Sequence, residues 1–343
     1  EGTTSVYSCK IIISPSNKLH ISLPLYTNMI PLQNYYSMAL PPKPFSLAST
    51  DQKIKLFKGW HARDILVATV ISGMHLLCVY APFTFSWSAF WLAIILHVIT
   101  GMFGITLSYH RNLTHQSFKL PKCLEYLFAY FGLHALQGDP IFWVSTHRYH
   151  HKFTDTDQDP HSPLEGFWYS HFGWLVNYNH LLSKGETFMN VKDLERQSYY
   201  VFLQRSVVLH IYLLAALLYV FGGFPFIVWG MGVRTVITYH ATFMVNSVCH
   251  IWGHQAWNTG DLSKNNWFVG VYSFGEGWHN NHHAFAFSAR HGLEWWQIDT
   301  TWYVIKLLER VGLATDVKLP TETHKQKMSF KNGVNDMSFQ QST

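Results

Sequence analysis

Twenty-two of the 343 residues are histidine, and most of their chemical promise lies in three short stretches. These are HRNLTH from His110 to His115, HRYHH from His147 to His151, and HNNHH from His279 to His283, with a looser pair in Asn246 and His250. Residues at i, i+3 and i+4 lie on one face of a helix. His147, His150 and His151 therefore predict one three-imidazole patch, and His279, His282 and His283 predict a second. Asn246 and His250 share a face one turn apart. His110 and His115 fall about 140° apart on an ideal helix, which predicts a pair that flanks a metal from two sides or spans a helix end. Imidazole suits Fe, Zn, Cu and Ni, and nine imidazoles exceed what one ion can hold, so two ions are expected. Carboxylate-type di-iron bundles repeat a Glu-x-x-His motif. Only Glu276 and His279 match it here, which disfavours that type. Partners that orient the imidazoles are sought among Asp155, Asp157, Asp159 and Glu276, with His161 structural or orienting rather than a ligand. His75, His97, His134, His210 and His240 read as polar residues facing into a bundle.

The elements that must position these clusters follow from charge. Only 13% of residues are charged, against about 25% in an ordinary soluble domain, while 48% are hydrophobic. No Asp, Glu, Lys or Arg occurs from Ile65 to His110, and Arg234 alone occurs between Ser206 and Gly260. A membrane span needs about 20 apolar residues, so each region predicts two spans: about 65–80 and 86–109, then 206–220 and 226–246. The turns fall at Ala81–Phe83 and Gly222–Pro225. Lys53, Lys55, Lys58 and Arg63 precede the first span, and Arg111, Lys119 and Lys122 follow the second. By the positive-inside rule, the termini and both polar stretches share one face, cytosolic or stromal. His110 then falls where the second span ends and His250 just beyond the fourth, so all four histidine elements can meet at the membrane surface. The formal charge of +5 is spread out and gives no reason to propose nucleic acid as a partner. Cys9, Cys78, Cys123 and Cys249 form no disulfide framework.

Residues 1–58 read as a poorly ordered leader, either plain or a transit peptide. Residues 59–319 read as the catalytic domain and 320–343 as a polar tail. The start at Glu1 reads as a fragment or a processed form.

The stretches SYHRNLTHQSF, GDPIFWVSTHRYHHKFTDTDQDPHSP and SFGEGWHNNHHAF resemble those of the membrane-bound acyl desaturases, the stearoyl-CoA-desaturase-like group. The resemblance runs from about Trp60 to Leu319. ARHGLEWWQID and GLATDVKLP are similar to the plant branch of acyl-lipid and palmitoyl-glycerolipid desaturases. It implies an all-α fold in which four transmembrane helices sit under a helical cap, with a bent tunnel for a saturated acyl chain that Trp143 lines. It also implies two iron ions held by His110, His115, His147, His150, His151, His250, His279, His282 and His283, with Asn246 acting through water.

The implied reaction is O2-dependent introduction of a cis double bond. Two electrons come from a separate donor, because no fused His-Pro-Gly-Gly haem motif is present: ferredoxin in a chloroplast membrane, or cytochrome b5 at the endoplasmic reticulum. Animal members that use acyl-CoA carry basic residues where this chain has Ser145, Leu164 and Glu165. Losing those cations weakens the grip on a polyanionic headgroup and favours a glycerolipid-bound chain over acyl-CoA. Two rival readings are a lipid hydroxylase or mono-oxygenase with the same metal cage, and a histidine-rich metal transporter or receptor.

Overall fold

The computed structural model describes residues 60–184 and 190–330. The leader expected over 1–58 and the last part of the expected tail lie outside them. The elements that build the site are α1 (Ala62–Cys78), α2 (Trp87–Thr114), α3 (Lys122–Leu133), α4 (Pro140–Phe153), α5 (Phe167–His171), α6 (Ser198–Ile227), α7 (Arg234–Ile251), α8 (Trp267–Tyr272), α9 (His279–Ala284) and α10 (Thr300–Arg310). Among the described residues there is no strand, only isolated bridges such as Lys119 with Thr315. The helical starts have local causes. The Asp139 carboxylate accepts from the backbone N–H groups of Ile141 and Phe142 at 2.9 and 3.0 Å, and Pro140 occupies the first position of α4. Asn266 caps α8 and Asp299 caps α10 in the same way.

Two helical stretches, Trp87–Thr114 and Ser198–Ile251, are long and apolar enough to cross a membrane. The second is no straight rod. At Gly223 the backbone turns to φ 62°, ψ −153°, and the chain beyond it folds back. A Cβ placed at Gly230 would lie 2.9 Å from the Leu218 side chain, whereas residues twelve apart on a straight helix stand about 18 Å apart. The reversal falls at the glycine-proline turn expected from sequence. α2 runs past the span end expected at about 109 and α7 past the one expected at about 246, since backbone hydrogen bonding does not stop where hydrophobicity does. α2 thus carries His110 and Arg111 within the helix, and α7 carries His250.

α2 changes its winding on the way. From Val98 to Thr114 the turns widen to i→i+5 bonding, and the pattern ends with the His115 N–H donating to the His110 carbonyl at 3.1 Å. Such wide turns are rare and recur at functional sites. Gly104 of α2 meets Gly132 of α3 backbone to backbone, since a Cβ on Gly104 would lie 2.4 Å from the Gly132 nitrogen. The buried Arg234 donates to the carbonyls of His134, just beyond the end of α3, and of Gly230. A cation at a helix C-terminus is favoured by the helix dipole.

Candidate metal centre

Nine imidazoles converge where the cap-side ends of α2 and α7 meet α4 and α9. They divide into two groups within each of which the candidate ligand nitrogens all lie within 4.8 Å of one another: His110, His115, His147, His151 and His282, then His150, His250, His279 and His283. The two HxxHH motifs do not each serve one group, as two single patches would. α4 gives His147 and His151 to the first group and His150 to the second; α9 gives His279 and His283 to the second and His282 to the first. At about 100° per residue, positions i and i+4 stand 40° apart, but i+3 stands 60° to the other side. One imidazole is therefore turned towards the neighbouring group. The wide winding of α2 explains the pair that an ideal helix would hold 140° apart. With i→i+5 turns, residues five apart become neighbours, and the His110 and His115 rings stand 4.8 Å apart, with His115 capping the helix end.

Within each group the Nε2 atoms face one another: His110 to His282 at 3.1 Å, His282 to His151 at 2.9 Å, His147 to His115 at 3.2 Å, and His279 to both His250 and His283 at 3.0 Å. Four of the far nitrogens are tied outward to acids. Nδ1 of His110 meets Glu276 at 2.6 Å, that of His150 meets Asp159 at 3.0 Å, that of His250 meets Asp155 at 3.0 Å, and that of His283 meets Asp261 at 2.8 Å. Each carboxylate holds the proton on Nδ1 and leaves the Nε2 lone pair pointing inward. Lone pairs facing at 3 Å repel, and a cation among them reverses the sign. A metal–imidazole bond of about 2.1 Å with ligands at right angles sets nitrogens about 3.0 Å apart, which matches the observed spacing. The buried Nε2 of His150 has no hydrogen-bond partner, as a nitrogen reserved for a metal would not. The donor set thus fits metal ions in both groups.

Of the orienting acids sought in the sequence, Asp155, Asp159 and Glu276 take that place, while Asp157 is exposed. Asp261 went unnoticed, since one acid in a polar loop carries no pattern. Arg111 is also more than a flanking cation. Fully buried, it donates to Glu276 from Nε and Nη2 at 3.1 and 2.9 Å, and to Asp299 from Nη1 at 3.0 Å. Burial alone would push the Glu276 carboxyl up, but Arg111, His110 and His291 outweigh it and hold the group ionised, well below the usual range. His291, a lone histidine in sequence, lies 3.2 Å from Glu276 and packs its ring 4.5 Å from His282. His161 stacks on His150 at 4.3 Å beside Asp159, in an orienting position. His75 pairs with His240 at 3.2 Å and His97 with Thr238 at 2.9 Å, inside the bundle as expected.

Two cavities meet beside the imidazoles. The smaller, about 50 Å³, is bounded by His97, Gly101, Phe274 and Thr238 at one end and by His110, His147 and His279 at the other. The larger, about 770 Å³, runs between α1, α6 and α7. Trp143, His147, Thr242 and Asn246 line both. Trp143 therefore stands at the junction, with its ring 5.1 Å from that of His147 and its indole N–H donating to Gln137 at 3.2 Å.

A helical protein with long apolar helices, a cage of imidazoles and an apolar channel beside it is built for oxidising a lipid chain. The fatty acid desaturase family model matches residues 44–315. An acyl-CoA 5-desaturase of Anemone leveillei is 67% identical over 288 residues, covering 84% of this chain and 90% of that protein. The chloroplastic palmitoyl-monogalactosyldiacylglycerol delta-7 desaturase of Arabidopsis thaliana is 62% identical, covering 79% of this chain and 73% of its own. Delta-9 acyl-lipid desaturase 1 of Arabidopsis thaliana is 56% identical, covering 79% and 88%. The chain belongs to the fatty acid desaturase family and is an oxidoreductase of that class. Such enzymes use iron and act on lipid acyl chains with O2 and an electron donor.

Proposed function

We propose that this chain is a four-span membrane desaturase that places a cis double bond in a saturated, glycerolipid-bound acyl chain. Two irons are assigned to it, one held by His110, His115, His147, His151 and His282, the other by His150, His250, His279 and His283. Asn246, on the cavity wall one turn before His250, adds a contact through water. Bound iron supplies the reduction of O2 that gives an oxidant able to remove hydrogen from an unactivated methylene. The chain does the rest. The acids on Nδ1 of His110, His150, His250 and His283 fix those imidazoles, the apolar walls exclude bulk water, and the junction at Trp143, His147, Thr242 and Asn246 sets which methylene lies beside the cage. Fixed position is worth much of the barrier in such a reaction. The observation that carries the reading is the continuity of an apolar cavity with two facing groups of inward-turned imidazole nitrogens.

The four spans are α1, the membrane part of α2, α6 and α7. α1, with 17 residues, is about 25 Å long, close to the roughly 30 Å core of a bilayer. The glycerolipid reading is supported where a CoA headgroup would need cations. Ser145 is buried on Asn190 at 2.6 Å, Leu164 is half exposed, and Glu165 holds His180 at 2.7 Å and pairs with Lys184. An acyl-CoA substrate remains the second reading, favoured by the name of the Anemone relative. Two Arabidopsis relatives carry a chloroplastic designation, which supports a chloroplast membrane with ferredoxin as donor rather than the endoplasmic reticulum with cytochrome b5. Expression in yeast tests the activity. New monounsaturated lipids, located by mass spectrometry, are expected from the native chain and none from His150→Ala at equal membrane abundance. Hydroxylated lipids instead would support the rival mono-oxygenase.

A further inference from the structure

The larger cavity is far roomier than one reacting chain requires, and its shape is informative. Its walls are α1 from Arg63 to Leu77 and α6 from Gln204 to Ala215. These two helices form no extended packing contact with each other; α1 packs instead on the 228–233 turn and on residues 173–176, and α6 on α3, α4 and that same turn. Leu66, Val208 and Tyr212 line the cavity yet are 58%, 55% and 70% exposed. The cavity is therefore a slit open sideways along helices that cross the membrane. From Arg63 to Leu77 it extends about 21 Å along α1, most of the thickness of a bilayer core of about 30 Å.

Polarity is graded along it. Arg63, Asp139, Tyr178, Glu195 and Gln204 gather at the cap-side end, and below them Val70, Met74, Ile211 and Ala215 leave the walls apolar. That is the order of a membrane lipid, headgroup above and tails below. The slit joins the small cavity at the imidazoles where Trp143, His147, Thr242 and Asn246 line both, while its lower arm, between Val70–Leu77 and Ile211–Ala215, shares no lining residue with that cavity. A chain that turns in at Trp143 towards the imidazoles leaves that lower arm free.

We infer that the lower arm receives the second, non-reacting acyl chain of a diacyl glycerolipid, which enters sideways from the bilayer between α1 and α6. This rests on the glycerolipid reading above and makes the enzyme selective for two-tailed substrates. Asp139 and Glu195 at the mouth outnumber the one cation there, Arg63, a balance that suits an uncharged headgroup better than a polyphosphate.

The test uses the iron-loaded enzyme in mixed micelles, with a dipalmitoyl galactolipid and its single-chain monopalmitoyl counterpart as probes. Val70→Trp and Ala215→Trp fill the lower arm from opposite walls, and iron content and melting temperature check that each variant folds. Native enzyme should prefer the diacyl lipid at least tenfold in kcat/KM, and either variant should abolish most of that preference through KM. Galactolipid turnover with no diacyl preference, or a preference unchanged in both variants, would overturn the inference while leaving the glycerolipid reading in place. Turnover of palmitoyl-CoA and of neither galactolipid would overturn both.

Discussion

At the scale of single residues, the cage depends on what holds each imidazole from behind. Asp261 accepts from His283 Nδ1 at 2.8 Å and is itself fixed by Ser263 and Thr259. Burial would raise its pKa, but the interaction with His283 and the hydrogen bonds from His283, Ser263 and Thr259 outweigh it and hold the carboxyl ionised. Asp261→Asn should lower iron retention against a chelator, and turnover with it, by about 10- to 100-fold, while far-UV circular dichroism stays unchanged. Burial, only partly offset by Asp261, pushes His283 from 6.5 down to about 4. His151, His279 and His282 are likewise pushed well below 6.5 by burial and by one another. In the iron-free protein the unfolded chain binds these protons near pH 6.5 and the folded chain does so only at lower pH. Stability is therefore full above about pH 7 and falls as the pH drops towards 4, by about 1.4 kcal/mol per pH unit for each such group. A melting temperature of iron-free enzyme that stays flat from pH 7.5 to 5 would contradict this. Six of the nine histidines were legible because the i, i+3, i+4 spacing of HRYHH repeats in HNNHH, and His110, His115 and His250 because they fall at the ends of apolar runs. Arg111, Asp261 and His291 were not, because a single charged or ring residue becomes part of a site only through contacts distant in sequence.

At the scale of elements, the winding of α2 and its contact with α3 decide where the first two histidines stand. A Cβ on Gly132 would lie 2.5 Å from the Tyr109 ring, next to His110. Gly132→Ala should therefore force α3 away from α2, at a cost of about 1–3 kcal/mol for overpacking. A lowered melting temperature together with reduced iron content checks this, and a stable variant with full iron would count against the contact. The chain reversal at Gly222–Pro225 was plain in sequence, as glycine and proline announce turns by their own conformational limits. The wide winding over Val98–Thr114 was not. It has no residue-type signature, and an ideal helix places His110 and His115 on different faces. The ends of the helices were hidden for a related reason: the apolar pattern marks spans to about 109 and 246, and the helices that carry the histidines continue beyond both, to Thr114 and Ile251.

At the scale of the whole molecule, the two histidine-bearing helix ends, the helices α4 and α9 and the two adjoining cavities form one device. Charge patterning in the sequence was enough to predict the long apolar helical stretches and the reversal at Gly222–Pro225. It could not show the cavity, which is made by helices that decline to pack on one another, nor how two HxxHH motifs exchange one imidazole each. That exchange separates two groups of facing imidazoles from a single crowded one, and the proposal of two irons rests on it. The measurement that tests it most directly is an anomalous difference map at the iron absorption edge from crystals of the iron-loaded enzyme. Two peaks per chain are predicted, one enclosed by Nε2 of His110, His115, His147, His151 and His282 and the other by Nε2 of His150, His250, His279 and His283. A single peak, or peaks held by each HxxHH motif separately, would contradict it.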